Sequence, residues 1–414
     1  MSGILHLSAN GHLQQNSMMV FERYYPGQNI MLSRPPMKND VARIDLPEDI
    51  FRWLDYGNRD VWEEVESLCR ERHIDKIVLH AAFRRNVNLA AYLKKRIPCK
   101  VYWLFWGFEL YNALAEDFGV SLVDEKFNPF KIRTYRYPNR VKGLLKYLRY
   151  GCTQSDVLRK VSDVADYFCF WNKFDYDLYT KYFGDHVKYK RFGYVCRERN
   201  SGEVETYNFP KKVQTILINH QASMTGNHVT LMEKVEKVDK EGKFNICVPL
   251  SYGAPYVRKQ CLQLGHRMFG DRFMPILDFL PRDEYFDKID SAQVALFGQK
   301  RQEATGNIGH LLTVGTKVFL REENSLYTYY KDIGYHVFSF ERDLKSFEDL
   351  APLSEEQMIH KVGGSPEVKK HLEDMGFVAG GLVTVVSSLN GNVIVKVKEA
   401  RVAISEEMAR KIMV

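Results

Sequence analysis

The sequence has no CxxC pair, no GxxxxGK[ST] loop and no GxGxxG turn. P-loop and dinucleotide-fingerprint chemistry are therefore not indicated. No apolar run approaches the roughly 18 residues that a spanning helix needs. The N-terminus, MSGILHLSAN, lacks the basic segment and long apolar stretch of a signal peptide. The seven cysteines (Cys69, Cys99, Cys152, Cys169, Cys196, Cys247 and Cys261) are scattered and odd in number. That usage fits a reducing compartment and excludes a disulfide or zinc framework, so a soluble cytoplasmic protein is expected. Internal repeats and low-complexity tracts are also missing, and no nucleic-acid recognition motif is present, so nucleic acid is not an expected partner.

What remains is a chain of 414 residues, 45% hydrophobic and 27% charged, which suits two or three packed domains. Its net charge of +7 is unevenly spread. Between Lys131 and Lys160 stand nine Lys/Arg and one acid, Asp156, an excess larger than that of the whole chain. Leu144, Leu145, Tyr147, Leu148 and Tyr150 alternate with these cations. At helical spacing, apolar and tyrosyl groups take one side and Lys/Arg the other, as on a helix lying against an anionic membrane. A solvated helix over the core is the competing reading.

Short apolar runs alternate with amphipathic stretches. Runs at 3–9, 76–83, 101–107 and 166–172 read as buried strands, with helices at 61–72 and 85–96 between them. A polar break follows at 196–212, and the pattern restarts with strands at 214–220, 244–252, 292–298 and 316–322 and helices at 227–238 and 307–315. This indicates two α/β lobes with parallel sheets. The expected divisions are 1–200, 201–357 and a small β-barrel at 358–414, where three β-runs surround an Asn390-Gly391 turn.

Two loops of the second lobe stand out. QKRQEATGN places Lys300, Arg301, Thr305 and Gly306 ahead of a helix, where backbone N–H groups, the helix dipole and Arg301 suit a diphosphate. NHQASMTGNH offers Ser223, Thr225 and Gly226 just before another helix. An ordinary strand-to-helix turn is the alternative for each. Asp175-Tyr176-Asp177 forms a DxD, the metal-binding pattern of some transferases, but it opens a helix, where acids favour the dipole.

The segments VYWLFWGFELY (101–111), KIVLHAAF (76–83), NHQASMTGNHVTLMEKV, ICVPLSYG and RQEATGNIGHLLTVGTKVFLREEN (301–324) resemble, in order and spacing over roughly residues 1–350, the WecF family of bacterial N-acetylfucosaminyltransferases. The resemblance implies a GT-B fold, a pair of facing Rossmann-like lobes. It also implies transfer of N-acetylfucosamine from a dTDP-sugar to an undecaprenyl-diphosphate-linked acceptor, in synthesis of a cell-surface polysaccharide such as enterobacterial common antigen. No cofactor and no metal are expected. The first lobe would serve acceptor and membrane, and the second the donor. Donor contacts are expected from Ser223, Thr225, Gly226, Tyr252, Arg301, Thr305, Gly306, Glu322 and Asn324. Glu109 or His80 would be the base, with His12 behind them. Arg140, Lys142, Lys146 and Arg149 would dock the chain on the inner face of the bacterial inner membrane.

The tail resembles FeoA, the small SH3-like protein of ferrous-iron uptake, through GGSPEVKKHLEDMGF, VVSSLNGNVIVKVKEARVAIS and EEMARKI. That family opens with a strand before GG, for which LAPLSEEQMIHKV is a poor match. The likeness implies an interaction module with a protein partner and no chemistry of its own. Two other readings stay open: an inactive transferase-like body presenting this module, and a glycosyltransferase for a soluble acceptor.

Overall fold

The structure, a computed structural model, describes residues 2–36, 44–124, 147–148, 151–193, 209–358, 372–377, 383–389, 392–397 and 400–405. The chain forms two compact units, Met1–Ser121 with Arg133–Glu203, and Leu122–Ile132 with Val204–Val414.

The first unit is built on seven parallel strands: β1 (Gly3–Ser8), β2 (Asn29–Ser33), β3 (Phe51–Trp53), β4 (Ile74–His80), β5 (Lys100–Leu104), β6 (Tyr167–Phe170) and β7 (Lys188–Arg191). Their order is β3-β2-β1-β4-β5-β6-β7, so the direction of winding reverses between β1 and β4. Helices α1 (His12–Tyr24), α2 (Trp62–Glu71), α3 (Arg84–Lys94), α4 (Phe108–Asp117), α5 (Gln154–Val164) and α6 (Phe174–Phe183) make the connections. Central strands covered on both faces are mostly apolar, and every residue of β1 is buried, His6 and Ser8 included. Trp103 on β5 stacks edge-on against Phe168 of β6 and Tyr179 of α6, with ring centroids 4.9 and 5.3 Å away. β7, KYKR, is a largely exposed edge strand and carries no apolar run for the sequence to display.

The second unit repeats the plan with six parallel strands: β8 (Val213–Ile218), β9 (Asn245–Pro249), β10 (Phe273–Ile276), β11 (Ala292–Phe297), β12 (Lys317–Leu320) and β13 (Val337–Ser339). Their order is β10-β9-β8-β11-β12-β13, with the reversal between β8 and β11. Helices α7 (His228–Val238), α8 (Pro255–Phe269), α9 (Arg282–Asp290), α10 (Thr305–Thr313) and α11 (Ser325–Asp332) connect them. The apolar core of this unit takes in Ile216, Leu296 and Phe319 from the sheet and extends to Leu344 and Leu350. Leu350 ends a short 3-10 helix, Phe347–Leu350, and its carbonyl accepts a hydrogen bond from the Gln293 amide at 2.7 Å.

A three-stranded antiparallel sheet follows, β14 (Val383–Leu389), β15 (Asn392–Val397) and β16 (Ala400–Ile404). It packs Val395, Val397 and Ile404 on Leu372 and Phe377. The Asn390-Gly391 turn lies outside the described residues. So do Arg140, Lys142, Lys146 and Arg149. Of the expected basic helix, Tyr147 and Leu148 are described; they are helical and exposed.

Candidate functional site

In open parallel sheets, ligands bind beyond the carboxyl ends of the strands, where the strand order reverses. In the second unit that edge carries the loops 219–227 after β8, 250–254 after β9, 298–304 after β11 and 321–324 after β12. All nine expected donor residues stand on these loops or on the first turn of α10. Ser223, Thr225 and Gly226 lie in the first loop, Tyr252 in the second and Arg301 in the third. Thr305 and Gly306 open α10, and Glu322 and Asn324 follow β12.

The two loops at the reversal are joined by the side-chain amide of Asn219. Asn219 Oδ1 accepts the Gly298 N–H at 3.0 Å, and Asn219 Nδ2 donates to the Gly226 carbonyl at 2.8 Å. A Cβ on Gly298 would stand 2.1 Å from that same carbonyl oxygen, so only glycine fits. The β8 and β9 loops are zipped backbone to backbone: Ala222 N donates to the Tyr252 carbonyl at 2.9 Å and Ala254 N to that of Ala222 at 2.8 Å. Between them Gly253 has φ +115°, a conformation that a side chain would strain. Tyr252 is left 46% exposed on this edge.

Glu303, which is not among the expected donor residues, ties the loops together by side chain. Its carboxylate accepts from Gln221 Nε2 at 2.6 Å and from Thr225 Oγ1 at 3.0 Å, and Arg301 lies 3.2 Å away. No side chain caps α10. Its first-turn N–H groups therefore face the edge with their positive dipole end. A Cβ on Gly306 would meet nothing within 4 Å, so this turn stands beside open space. Anionic oxygens suit such a place, with Arg301 nearby in sequence. His220 and His228 are both buried, and burial pushes each down to about 4. Both are neutral at physiological pH.

Beyond β12, Glu322 accepts from Ser339 Oγ at 2.6 Å and pairs with Arg342, and these two bonds hold its carboxyl below the usual range. Asn324 spends its amide locally. Its Oδ1 accepts from Leu326 N and its Nδ2 donates to the Gln299 carbonyl, both at 3.0 Å, which makes it the N-cap of α11.

In the first unit both expected bases are fully buried. Glu109 lies in the first turn of α4, where its Oε1 accepts from the Trp106 N–H at 3.1 Å and the Trp103 indole at 3.2 Å. Burial raises its carboxyl to about 7, against the pull of these donors. His80 ends β4, beside the reversal point. Its Nε2 is 3.1 Å from His6 Nδ1, and His6 Nε2 is 3.1 Å from Asn29 Oδ1. Asn29 Nδ2 donates to Glu22 and to the Tyr25 carbonyl, so Asn29 Oδ1 is the acceptor that His6 meets. His6 therefore carries its proton on Nε2, its Nδ1 accepts, and His80 must donate from Nε2. That leaves a bare lone pair on His80 Nδ1, which has no hydrogen-bond partner. The side chain of His12 lies outside the described set.

Asp175 is fully buried and fully used: Tyr111 donates to it at 2.5 Å and Asn172 at 2.9 Å. Asp177 pairs with Lys173 on the surface at 2.6 Å. Among the described residues no group of three His, Cys, Asp or Glu is placed to hold a metal.

Residues 349–414 match the family model of the FeoA domain. No curated protein sequence matches the chain. Among solved structures, the chain is similar to Anabaena Alr3699/HepE in complex with UDP-glucose, with 10% identity and a TM-score of 0.52 over 85% of this chain and 88% of that one. The UDP complex of the same protein gives 8% identity and a TM-score of 0.52 over 84% and 87%. At such identities the likeness is one of fold. The chain combines two Rossmann-like lobes of the GT-B class with a C-terminal FeoA domain.

Proposed function

We propose that this protein is a glycosyltransferase that takes a sugar from a nucleoside-diphosphate donor held at the carboxyl edge of the second sheet. The observation that carries this reading is the convergence of four loops there, with Arg301, Ser223, Thr225 and the uncapped start of α10 on one edge. HepE, whose structures hold UDP-glucose and UDP, supports a nucleotide-sugar donor. The resemblance to the WecF family refines the donor to a dTDP-linked N-acetylfucosamine-type sugar. It refines the acceptor to an undecaprenyl-diphosphate-linked sugar at the inner face of the inner membrane. Arg140, Lys142, Lys146 and Arg149 would dock the chain there, beside the exposed Tyr147 and Leu148.

In the reaction an acceptor hydroxyl forms a bond to the anomeric carbon while the bond from that carbon to the diphosphate oxygen breaks. The electron pair leaves on the diphosphate, where Arg301 and the N–H groups of Thr305 and Gly306 stabilise it. The hydroxyl proton passes to Glu109 or to His80 Nδ1. Because both are buried, either acts as base only once acceptor entry exposes it. That same burial favours a second reading, an inactive body that presents the FeoA domain to a protein partner.

Incubation with an undecaprenyl-diphosphate-linked acceptor and a panel of dTDP-, UDP- and GDP-sugars, with and without EDTA, tests the proposal. Turnover with a dTDP-amino sugar, unchanged by EDTA, is expected. A folded protein that turns over no donor would overturn the proposal in favour of the second reading. Turnover on a soluble acceptor alone would remove the membrane assignment.

A further inference from the structure

We propose that Asp124 is a positioning residue for the donor edge, a staple that fixes three of its loops from a segment far away in sequence. The inference rests on the donor site lying at that edge. Leu122–Asp124 follows the last helical turn of α4 by a few residues, yet it belongs to the second unit. Asn227, at the end of the β8 loop, accepts the Asp124 N–H on Oδ1 at 2.8 Å and donates from Nδ2 to the Leu122 carbonyl at 3.3 Å. The Asp124 carboxylate takes Arg321 of the β12 loop through two bonds, at 2.7 and 3.3 Å. It also takes Lys300 of the β11 loop at 3.1 Å. Val123 between them packs on the unit's apolar core.

This cluster is a clamp rather than an anion seat. Lys300 and Arg321 supply two positive charges, against Asp124, Glu323 and Glu341, which are all in ion-pair reach. No cation is left over to hold a diphosphate, and Arg301 is the loop cation outside the cluster. What Asp124 supplies is position. Without it Lys300 and Arg321 share only Glu323, 3.5 Å from each, and the loops carrying Arg301 and Glu322 lose their tie to the 122–124 segment. Ligand-binding groups tolerate only about 0.5 Å of misplacement.

Calorimetric titration of the full chain with UDP and with dTDP tests this. The unaltered chain is expected to bind at least one of them, and Asp124→Asn to bind it about tenfold more weakly, as for loss of one partner in a partly buried charge pair. Asp124→Glu should recover most of the affinity. Val123→Ala removes packing of the same segment but leaves the ion pairs, so it should lower the unfolding temperature and keep affinity within about twofold. If Asp124→Asn does not fold, Lys300→Met, which leaves the Arg321 pair in place, should weaken binding about threefold. Parent-like affinity in Asp124→Asn, or in Lys300→Met where that variant stands in, overturns the staple. An equal loss in Val123→Ala also overturns it, because the role would then be bulk stability. A parent chain that binds neither nucleotide overturns the donor-edge reading, and this inference with it.

Discussion

Asn219 and Gly298 close the switch point of the second sheet: one side-chain amide accepts the glycine N–H at 3.0 Å and donates across it to the Gly226 carbonyl at 2.8 Å. The two loops flanking the reversal in strand order are thus bridged by the Asn219 amide, and Gly298 lets their backbones approach closely at Gly226.

Gly298→Ala should therefore destabilise the chain by about 1–3 kcal/mol, the cost of overpacking a close contact. Chemical denaturation would measure it, with nucleotide titration reporting the loss of loop geometry. A variant as stable as the parent would show that the loops have room to part.

Glu303→Gln keeps the size of the side chain and removes its charge. The hydrogen bonds from Gln221 and Thr225 weaken and Arg301 loses its ion pair. A charged hydrogen bond contributes about 1.5–3 kcal/mol, so the donor KM should rise roughly tenfold or more. Steady-state kinetics with the donor varied would check this, and an unchanged KM would confine Glu303 to a passive role.

Glu109 makes stability fall as pH rises. Its folded-state pKa of about 7 lies above the unfolded value of 4.5, so the stabilisation from its proton is complete below pH 4.5 and is lost as pH rises through 7. The shift corresponds to about 3 kcal/mol. His6, His220 and His228, each lowered to about 4, act with the opposite sign, costing stability as pH falls from 6.5. Glu109→Gln isolates the carboxyl contribution. Subtracting its stability profile from that of the parent between pH 4.5 and 8 should leave a curve that falls with pH. A flat difference would mean that the carboxyl is solvated in the folded protein.

Replacing Lys142, Lys146 and Arg149 by Gln should weaken binding to anionic vesicles by roughly two orders of magnitude, at about 1 kcal/mol per charge. Co-sedimentation across a lipid titration measures this, and a chain that never binds the vesicles removes the membrane assignment.

The central strands were legible because burial on both faces leaves apolar runs such as KIVLH and AQVALF. β7, KYKR, and β13, three residues long, offered no such run, since edge strands need only one covered face and short ones show no period. At the candidate site, cations and small residues after strand ends were readable one loop at a time. Glu303 was not, because its task appears only when the β8 and β11 loops meet. Asp124 had no local signature at all, with its partner Arg321 lying 197 positions away. Asn324, expected at the donor, also caps α11, a use that the same residue type suits equally well.

The FeoA match begins at residue 349, whereas Leu350 is fully buried in the core of the α/β unit before it. The family's border and the folding border are therefore different places. Excising the tail at the family's first residue would pull Leu350 out of the lobe that it completes and sever its bond to Gln293. A truncation that spares the lobe has to fall after Leu350.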